Sequence, residues 1–98
     1  MRTRVSRSAR RELDGIFDNW ARRATPDIAR ELIYSITDQF GILARHPQIG
    51  RKCDEFAPGA RCFPAGKYLI YYRNARRAMQ ILHVFHGARD QVRAFRKG

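Results

Sequence analysis

The sequence has few cysteines and no long apolar run. Cys53 and Cys62 lie nine residues apart, with no CxxC pair and no histidine at metal-ligand spacing, which indicates neither a zinc site nor a disulfide framework. No stretch approaches the roughly 18 apolar residues of a membrane span, and no apolar segment of a secretory signal follows the basic start. We therefore expect a soluble, cytoplasmic, metal-free protein whose 98 residues form a single domain.

Motifs of the common enzyme classes are also missing. No Gly-rich phosphate loop follows a predicted strand, and the serines, threonines and cysteines nearest the three histidines show no elbow and no triad spacing. We therefore expect no cofactor, and the usual nucleophilic hydrolases are disfavoured.

Acidic residues are scarce in the last third of the chain. Residues 1–60 contain eleven bases and eight acids, whereas residues 61–98 contain nine bases and a single acid, Asp90. Most of the formal net charge of +11 therefore belongs to the C-terminal third. A field of this size attracts polyanions or an acidic partner.

Two amphipathic helices are predicted in the first half. A helix over about residues 9–23, capped by Ser6 or Ser8, presents apolar residues at i, i+3, i+4 and i+7. The segment Thr25-Pro26-Asp27 begins a second helix, because Thr25 can cap it and proline is favoured in its first turn. That helix ends before Pro47. A short link between the two predicts an antiparallel helix hairpin.

The remaining elements are predicted strands. A short strand over Thr3–Val5 opens the chain, and residues rich in Tyr, Ile, Val and Phe follow in Arg61–Phe63, Lys67–Arg73 and Ala78–His86. Turns are expected at Pro64–Gly66 and between residues 74 and 77. The predicted fold class is α+β, an N-terminal strand followed by an antiparallel helix hairpin packed on an antiparallel β-sheet.

Several side chains of the predicted sheet suit phosphate chemistry: Arg61, Lys67, Tyr71, Arg73, His83, His86 and Arg89. RNA cleavage by a 2′-hydroxyl needs a base, an acid and cations near phosphorus, which such a group can supply. Strict alternation places His83 with Ile81 and Phe85 on one face and His86 with Leu82 and Val84 on the other. Each histidine and arginine also fits a structural role, as a hydrogen-bonded or ion-paired residue.

The order of several short motifs resembles the RelE/ParE superfamily of type II toxin-antitoxin toxins over nearly the whole chain. The motifs are Ser8-Ala9 with Leu13 and Ile16, Pro47-Gln-Ile-Gly50-Arg51, Pro58-Gly59-Ala-Arg61, Tyr68-Leu-Ile-Tyr-Tyr72-Arg73, and His86-Gly-Ala-Arg89-Asp90. The combination P-x-I-G-R, G-x-R, Y-x-I-x-Y-R and H-G-x-R-D is more similar to the ParE branch than to the RelE branch.

This resemblance implies a basic toxin that a cognate antitoxin neutralises. A ParE-like toxin inhibits DNA gyrase and is not itself an enzyme. A RelE-like toxin instead cleaves ribosome-bound mRNA without a metal, and here His83, His86 and Arg89 would be its catalytic residues. The tail after Asp90 contains no Tyr or His, which weakens the ribonuclease alternative. A third alternative is a degenerate toxin that acts only as a basic binding module.

The resemblance also implies two kinds of binding surface. Contacts to a target or to phosphate are expected at Arg61, Lys67, Arg73 and Arg89, all of which are motif or sheet residues. The apolar faces of the hairpin and sheet are too extensive for 98 residues to cover fully, so helical antitoxin segments are expected to bury what remains. We predict antitoxin contacts at Trp20, Ile36, Phe40 and Tyr71.

Overall fold

The computed structural model describes residues 2–87, which form a strand, two helices and four further strands. In chain order the elements are β1 (Arg2–Val5), α1 (Arg7–Arg23), α2 (Pro26–Arg45), β2 (Arg51–Lys52), β3 (Ala60–Ala65), β4 (Tyr68–Asn74) and β5 (Ala78–His86). Neither helix is long and apolar enough to cross a membrane, within the residues described.

Both helices begin at side-chain caps that the sequence predicts. The Ser6 hydroxyl accepts a hydrogen bond from the backbone N–H of Ala9 at 3.0 Å, and the Thr25 hydroxyl accepts one from Ile28 at 3.1 Å. Ser6 also donates to the carbonyl of Leu82 at 2.7 Å, so the first cap ties α1 to β5. These bonds satisfy orphan N–H groups of each first helical turn. The predicted helix hairpin is confirmed.

Gly15 lies in the middle of α1 and faces open space. A Cβ added at this position would meet no atom within 4 Å, so no close packing requires the glycine. Replacing Gly15 with alanine should therefore raise the free energy of unfolding by about 1 kcal/mol, since glycine is the weaker helix former. Urea denaturation of the two proteins would measure the difference. An unchanged or lower stability would contradict this account of the helix.

The five strands form one mixed sheet in the order β1-β5-β4-β3-β2. The antiparallel pairing of β3, β4 and β5 confirms the prediction, and β2, which was not predicted, adds a short antiparallel edge to β3. β1 pairs parallel with β5, placing Arg2 opposite Ala78 and Val5 opposite Ile81, because the chain passes through the helix hairpin and three strands before it returns beside β1. The hairpin covers one face, here termed the helix face. Its core includes Ile36, Phe40, Leu43, Ile70, Tyr72, Met79, Ile81 and Val84.

The opposite face of the sheet, here termed the outer face, carries a second, smaller cluster. Cys53, Cys62 and Tyr71 are buried in it, and the Phe56 ring covers Tyr71 with ring centroids 4.4 Å apart. The segment after β2 therefore folds over the sheet and supplies part of the cover that we expected from a partner.

The turn predicted at Pro64–Gly66 is wrong in its position. β3 continues through Pro64 and Ala65, and the chain turns at Gly66, whose φ is +62°. Proline is tolerated in a strand where its missing N–H faces no neighbour. β2 pairs only with Arg61 and Cys62, so this part of β3 is an open edge.

Strict alternation along β5 is also wrong, because the strand carries a bulge. Tyr71 pairs with His83 and Tyr72 pairs with Ile81, which leaves Leu82 as an extra residue. Ile81 and Val84 consequently share the helix-face core, whereas Leu82 and Phe85 pack against the outer-face cluster. One inserted residue reverses the faces of all later residues in a strand.

Candidate functional site

An apolar cleft opens between the helix hairpin and the Lys67 end of the sheet. It has a volume of about 290 Å³ and is lined by Trp20, Ile28, Leu32, Lys67 and Tyr68. The Trp20 indole N–H donates to the Tyr68 hydroxyl at 2.9 Å, and this bond holds the two side chains in place at the floor of the cleft. Ile28 lies at the rim and is 48% exposed. A cleft of this character suits an apolar side chain from a partner helix.

Three of the four predicted antitoxin contacts require correction. Ile36 and Tyr71 are fully buried and Phe40 is 7% exposed. Ile36 and Phe40 belong to α2 and pack into the helix-face core, and Tyr71 lies under Phe56, so these three side chains offer no surface to a partner. Their apolar character serves the protein's own core. Trp20 is different, because it lines the cleft and is only partly buried.

His83 lies at the edge of β5 where β1 has already ended. Its Nδ1 lies 2.8 Å from Oε2 of Glu12 on α1, and Oε1 of the same carboxylate accepts the backbone N–H of Val84 at 2.9 Å. The His83 ring also stacks on Phe85 and meets the edge of Phe56. Glu12 thus substitutes for a neighbouring strand along this edge, and His83 is held as a structural residue.

His86 lies on the other side of the sheet from His83. Its ring meets that of Tyr68 edge-on at 5.5 Å, and Tyr68 belongs to the helix-face core. The two histidines therefore do not converge on one phosphate group as an acid and a base. Arg89, the third predicted catalytic residue, lies outside the described residues.

The predicted phosphate contacts are likewise not brought together. Arg61 lies with the helix-face side chains of β3 and donates to the carbonyls of Gly50 at 2.7 Å and Gln48 at 3.2 Å. Arg73 extends from the outer face and donates to Gln80 at 3.3 Å. Lys67 lies in the turn at the opposite end of β4. These residues form no single anion site.

Residues of three of the motifs that carry the family resemblance instead meet in one hydrogen-bonded cluster, here termed the Tyr72 knot. The buried Tyr72 hydroxyl donates to the Pro47 carbonyl and accepts from the Gly50 N–H, both at 2.9 Å, and Arg61 holds the Gly50 carbonyl. The P-x-I-G-R, G-x-R and Y-x-I-x-Y-R motifs therefore fix the loop between α2 and β2 onto the sheet. The residues of these motifs that form the knot therefore serve the fold.

The outer-face cluster contains ionisable groups that burial keeps neutral. Burial raises the pKa of the Cys53 thiol to about 11, and it also raises the pKa values of Cys62 and Tyr71. The Cys53 thiol donates to Glu55 at 3.3 Å. The Tyr71 hydroxyl makes no well-directed hydrogen bond within residues 2–87, although the thiol of Cys62 lies close enough to perturb its pKa.

These shifts predict a loss of stability in alkali. The unfolded Cys53 thiol ionises near its ordinary pKa of 9.0, whereas the folded thiol keeps its proton to about pH 11. Stability that is fully present below pH 9 is therefore lost as the pH rises toward 11. Urea unfolding across this interval should show the decline, and Cys53→Ala should reduce its slope. Equal slopes for the two proteins would contradict the assignment to Cys53.

A basic surface that sequence reasoning missed lies at the other end of the sheet. A concavity of about 260 Å³ is lined by Arg4, Ala75, Arg76, Arg77, Ala78 and Gln80, and we term it the arginine cleft. Three elements contribute to it, namely β1, β5 and the β4–β5 turn. The sequence does show two adjacent arginines in a short turn and another arginine in β1. Nothing in the sequence indicates that these residues meet, because only the pairing of β1 with β5 brings them together.

Comparison with known proteins gives concordant matches. A family model described as the ParE toxin of the type II toxin-antitoxin system parDE matches residues 3–91. Toxin ParE1 of Mycobacterium tuberculosis strain H37Rv is 32% identical over 78 residues, 79% of this chain and 76% of the relative. Toxin ParE1 of Caulobacter vibrioides is 31% identical over 87 residues, 85% of each chain.

The fold has a solved counterpart. A chain from a chromosomal ParDE toxin-antitoxin system of P. aeruginosa superposes with a TM-score of 0.78 at 23% identity, covering 88% of this chain and 95% of that one. The similarity extends over the helix hairpin and the sheet together. The predicted architecture is therefore confirmed by an independent structure.

Proposed function

Because the chain belongs to the ParE family and is the toxin component of a type II toxin-antitoxin system, we propose that it arrests growth by inhibiting DNA gyrase. The observation that carries this proposal is the family match over residues 3–91. Two ParE1 toxins, which cover most of the chain, agree with it. Gyrase as the target places the action of the toxin in the cytoplasm.

Inhibition by binding fits the described surface better than catalysis does. His83 is bonded to Glu12, His86 lies on the opposite face, and Arg61 is committed to backbone carbonyls. This arrangement supports a toxin that acts through contact with its target. It gives no support to the alternative of ribosome-dependent mRNA cleavage.

The test is a supercoiling assay with purified toxin, gyrase, ATP and relaxed plasmid. We expect supercoiling to be inhibited and linear plasmid to accumulate, and we expect prior addition of the antitoxin to prevent both effects. Ribosome-bound message should stay intact in cells arrested by induction of the toxin. Cleaved message with unaffected gyrase would replace this proposal by the ribonuclease alternative, and full growth on induction of folded protein would indicate a degenerate toxin.

We further propose that the antitoxin places an apolar side chain in the cleft of Trp20 and Tyr68. The cleft is apolar, its rim includes the exposed Ile28, and Lys67 beside it offers a cation to an acidic antitoxin segment. Apolar burial supplies affinity in such an interface, and charge complementarity speeds the encounter. The association rate should therefore fall as ionic strength rises.

The substitution Ile28→Glu should weaken antitoxin binding at least about tenfold, since it places a carboxylate at the apolar rim. Tyr34→Glu is a matched control, because Tyr34 is also exposed on α2 but does not line the cleft. Titration calorimetry of both variants with the antitoxin provides the comparison. If both variants bind like the unmodified protein, the antitoxin occupies another surface.

A further inference from the structure

The arginine cleft continues into a row of paired side chains across the outer face. Arg4 of β1 lies opposite Gln80 of β5, Gln80 lies opposite Arg73 of β4, and Arg73 lies opposite Ala60 of β3. Their chain neighbours Val5, Met79 and Tyr72 belong to the helix-face core. Side chains alternate along a strand, so this row projects to the face that the helix hairpin leaves uncovered.

The groups that line this surface are hydrogen-bond donors. Arg4, Arg76 and Arg77 form no ion pair within residues 2–87. Arg73 donates to the side-chain oxygen of Gln80, which orients that amide and leaves its NH₂ group to donate to a ligand. A surface with several guanidinium groups and no carboxylate in its lining suits a ligand made of acceptors, such as phosphate or carboxylate.

The shape of the floor of this surface favours phosphate over the carboxylates of a protein segment. Ala60 and Ala78 beneath the arginines are buried, so the floor is shallow and offers no pocket for a large apolar side chain. An acidic protein segment gains most of its affinity from apolar anchors, which the cleft of Trp20 accommodates at the other end of the sheet. A phosphodiester backbone needs only charge and donors along a track.

We propose that the arginine cleft, together with the row from Arg4 to Arg73, binds the phosphodiester backbone of a nucleic acid. Arg76 and Arg77 at the turn and Arg4 on the edge strand contact successive phosphates, and Gln80 donates between them. This activity belongs to the toxin itself and does not rest on gyrase as the target.

The test compares two pairs of adjacent exposed arginines that carry the same charge. Arg76→Ala with Arg77→Ala removes the turn contacts. Arg22→Ala with Arg23→Ala is the matched control at the end of α1, beside Trp20, which contacts Tyr68 at the start of β4. The length of β4 separates the two pairs by roughly 20 Å, about twice the screening length at moderate salt.

Binding is measured by fluorescence anisotropy with labelled duplex DNA and with single-stranded RNA of equal length. We expect the Arg76→Ala, Arg77→Ala variant, here termed the turn variant, to bind about tenfold more weakly. The slope of log K against log salt should become shallower by about two. The control should change affinity by less than about twofold. Arg4→Gln, on a different element, should lose about threefold. The nucleic acid bound more tightly identifies the source of the phosphates.

Three results would overturn the proposal. The first is absence of binding by the unmodified protein to either nucleic acid at low salt. The second is an equal loss in the turn and control variants, which indicates diffuse charge. The third is displacement of the nucleic acid by polyglutamate at the same charge concentration, which indicates an acidic protein as the ligand. Circular dichroism of each variant verifies that it remains folded.

Discussion

Substituting Gly50 with alanine should lower the free energy of unfolding by about 3 kcal/mol. An added Cβ would lie 2.5 Å from the hydroxyl oxygen of Tyr72, 2.8 Å from its ring and 3.0 Å from the Cys62 carbonyl. The Tyr72 side chain is fully buried and bonded at its hydroxyl, so it cannot move aside freely. Chemical denaturation of the two proteins would measure the loss.

A double-mutant cycle with Tyr72→Phe identifies the cause. Removing the Tyr72 hydroxyl alone leaves the Gly50 N–H and the Pro47 carbonyl without their partner, at a cost of about 2 kcal/mol. It also removes the atom that the new Cβ meets most closely. The double variant should therefore be more stable than the sum of the two losses predicts. Simple additivity would show that Gly50 and Tyr72 act independently.

The second large effect is expected at Glu12. Glu12→Ala removes the acceptor of the Val84 N–H and the partner of His83, and we expect a loss of about 2 kcal/mol because hydrogen bonds to a charged group are the stronger class. Asp14→Ala is a control on the same helix, exposed and without an ion pair in the described part of the chain. It should change stability by less than about 0.5 kcal/mol.

Hydrogen exchange adds a local readout for Glu12. The Val84 amide should exchange faster in Glu12→Ala than in the unmodified protein, because no strand among residues 2–87 covers the edge of β5 beyond β1. Glu12→Gln keeps an acceptor for that amide and should protect it partly. If Glu12→Ala matches the Asp14→Ala control in both stability and exchange, the carboxylate does not replace a strand here.

The helices and most strands could be predicted because their signals are local. The caps at Ser6 and Thr25 and the apolar stripes of α1 and α2 are properties of neighbouring residues. The bulge at Leu82 is not local, because it is fixed by pairing with β4 and by the end of β1. Without the bulge, alternation grouped His83 with Ile81 and Val84 with Leu82, whereas in the structure Val84 shares the helix face with Ile81.

The candidate surfaces were harder to predict for a related reason. Ile36 and Phe40 lie on an apolar helix stripe, which fits either a partner-binding surface or the protein's own core. Only the position of the sheet shows that they belong to the core. Arg61 is chemically suited to phosphate, yet the carbonyls that it binds belong to a loop eleven or more residues away. The arginine cleft combines β1 with β5, a pairing that no periodicity reveals.

The parallel pairing of β1 with β5 has a consequence for how the toxin is made. Ser6 and Leu82, which bond at this junction, are 76 residues apart in the chain, so β1 is synthesised well before its partner β5 and must wait for it. The contacts between α1 and α2 are local, so the hairpin can form early, whereas closure of so long a loop is slow. The nascent toxin therefore passes through a period in which neither its target nor its antitoxin meets the finished surface.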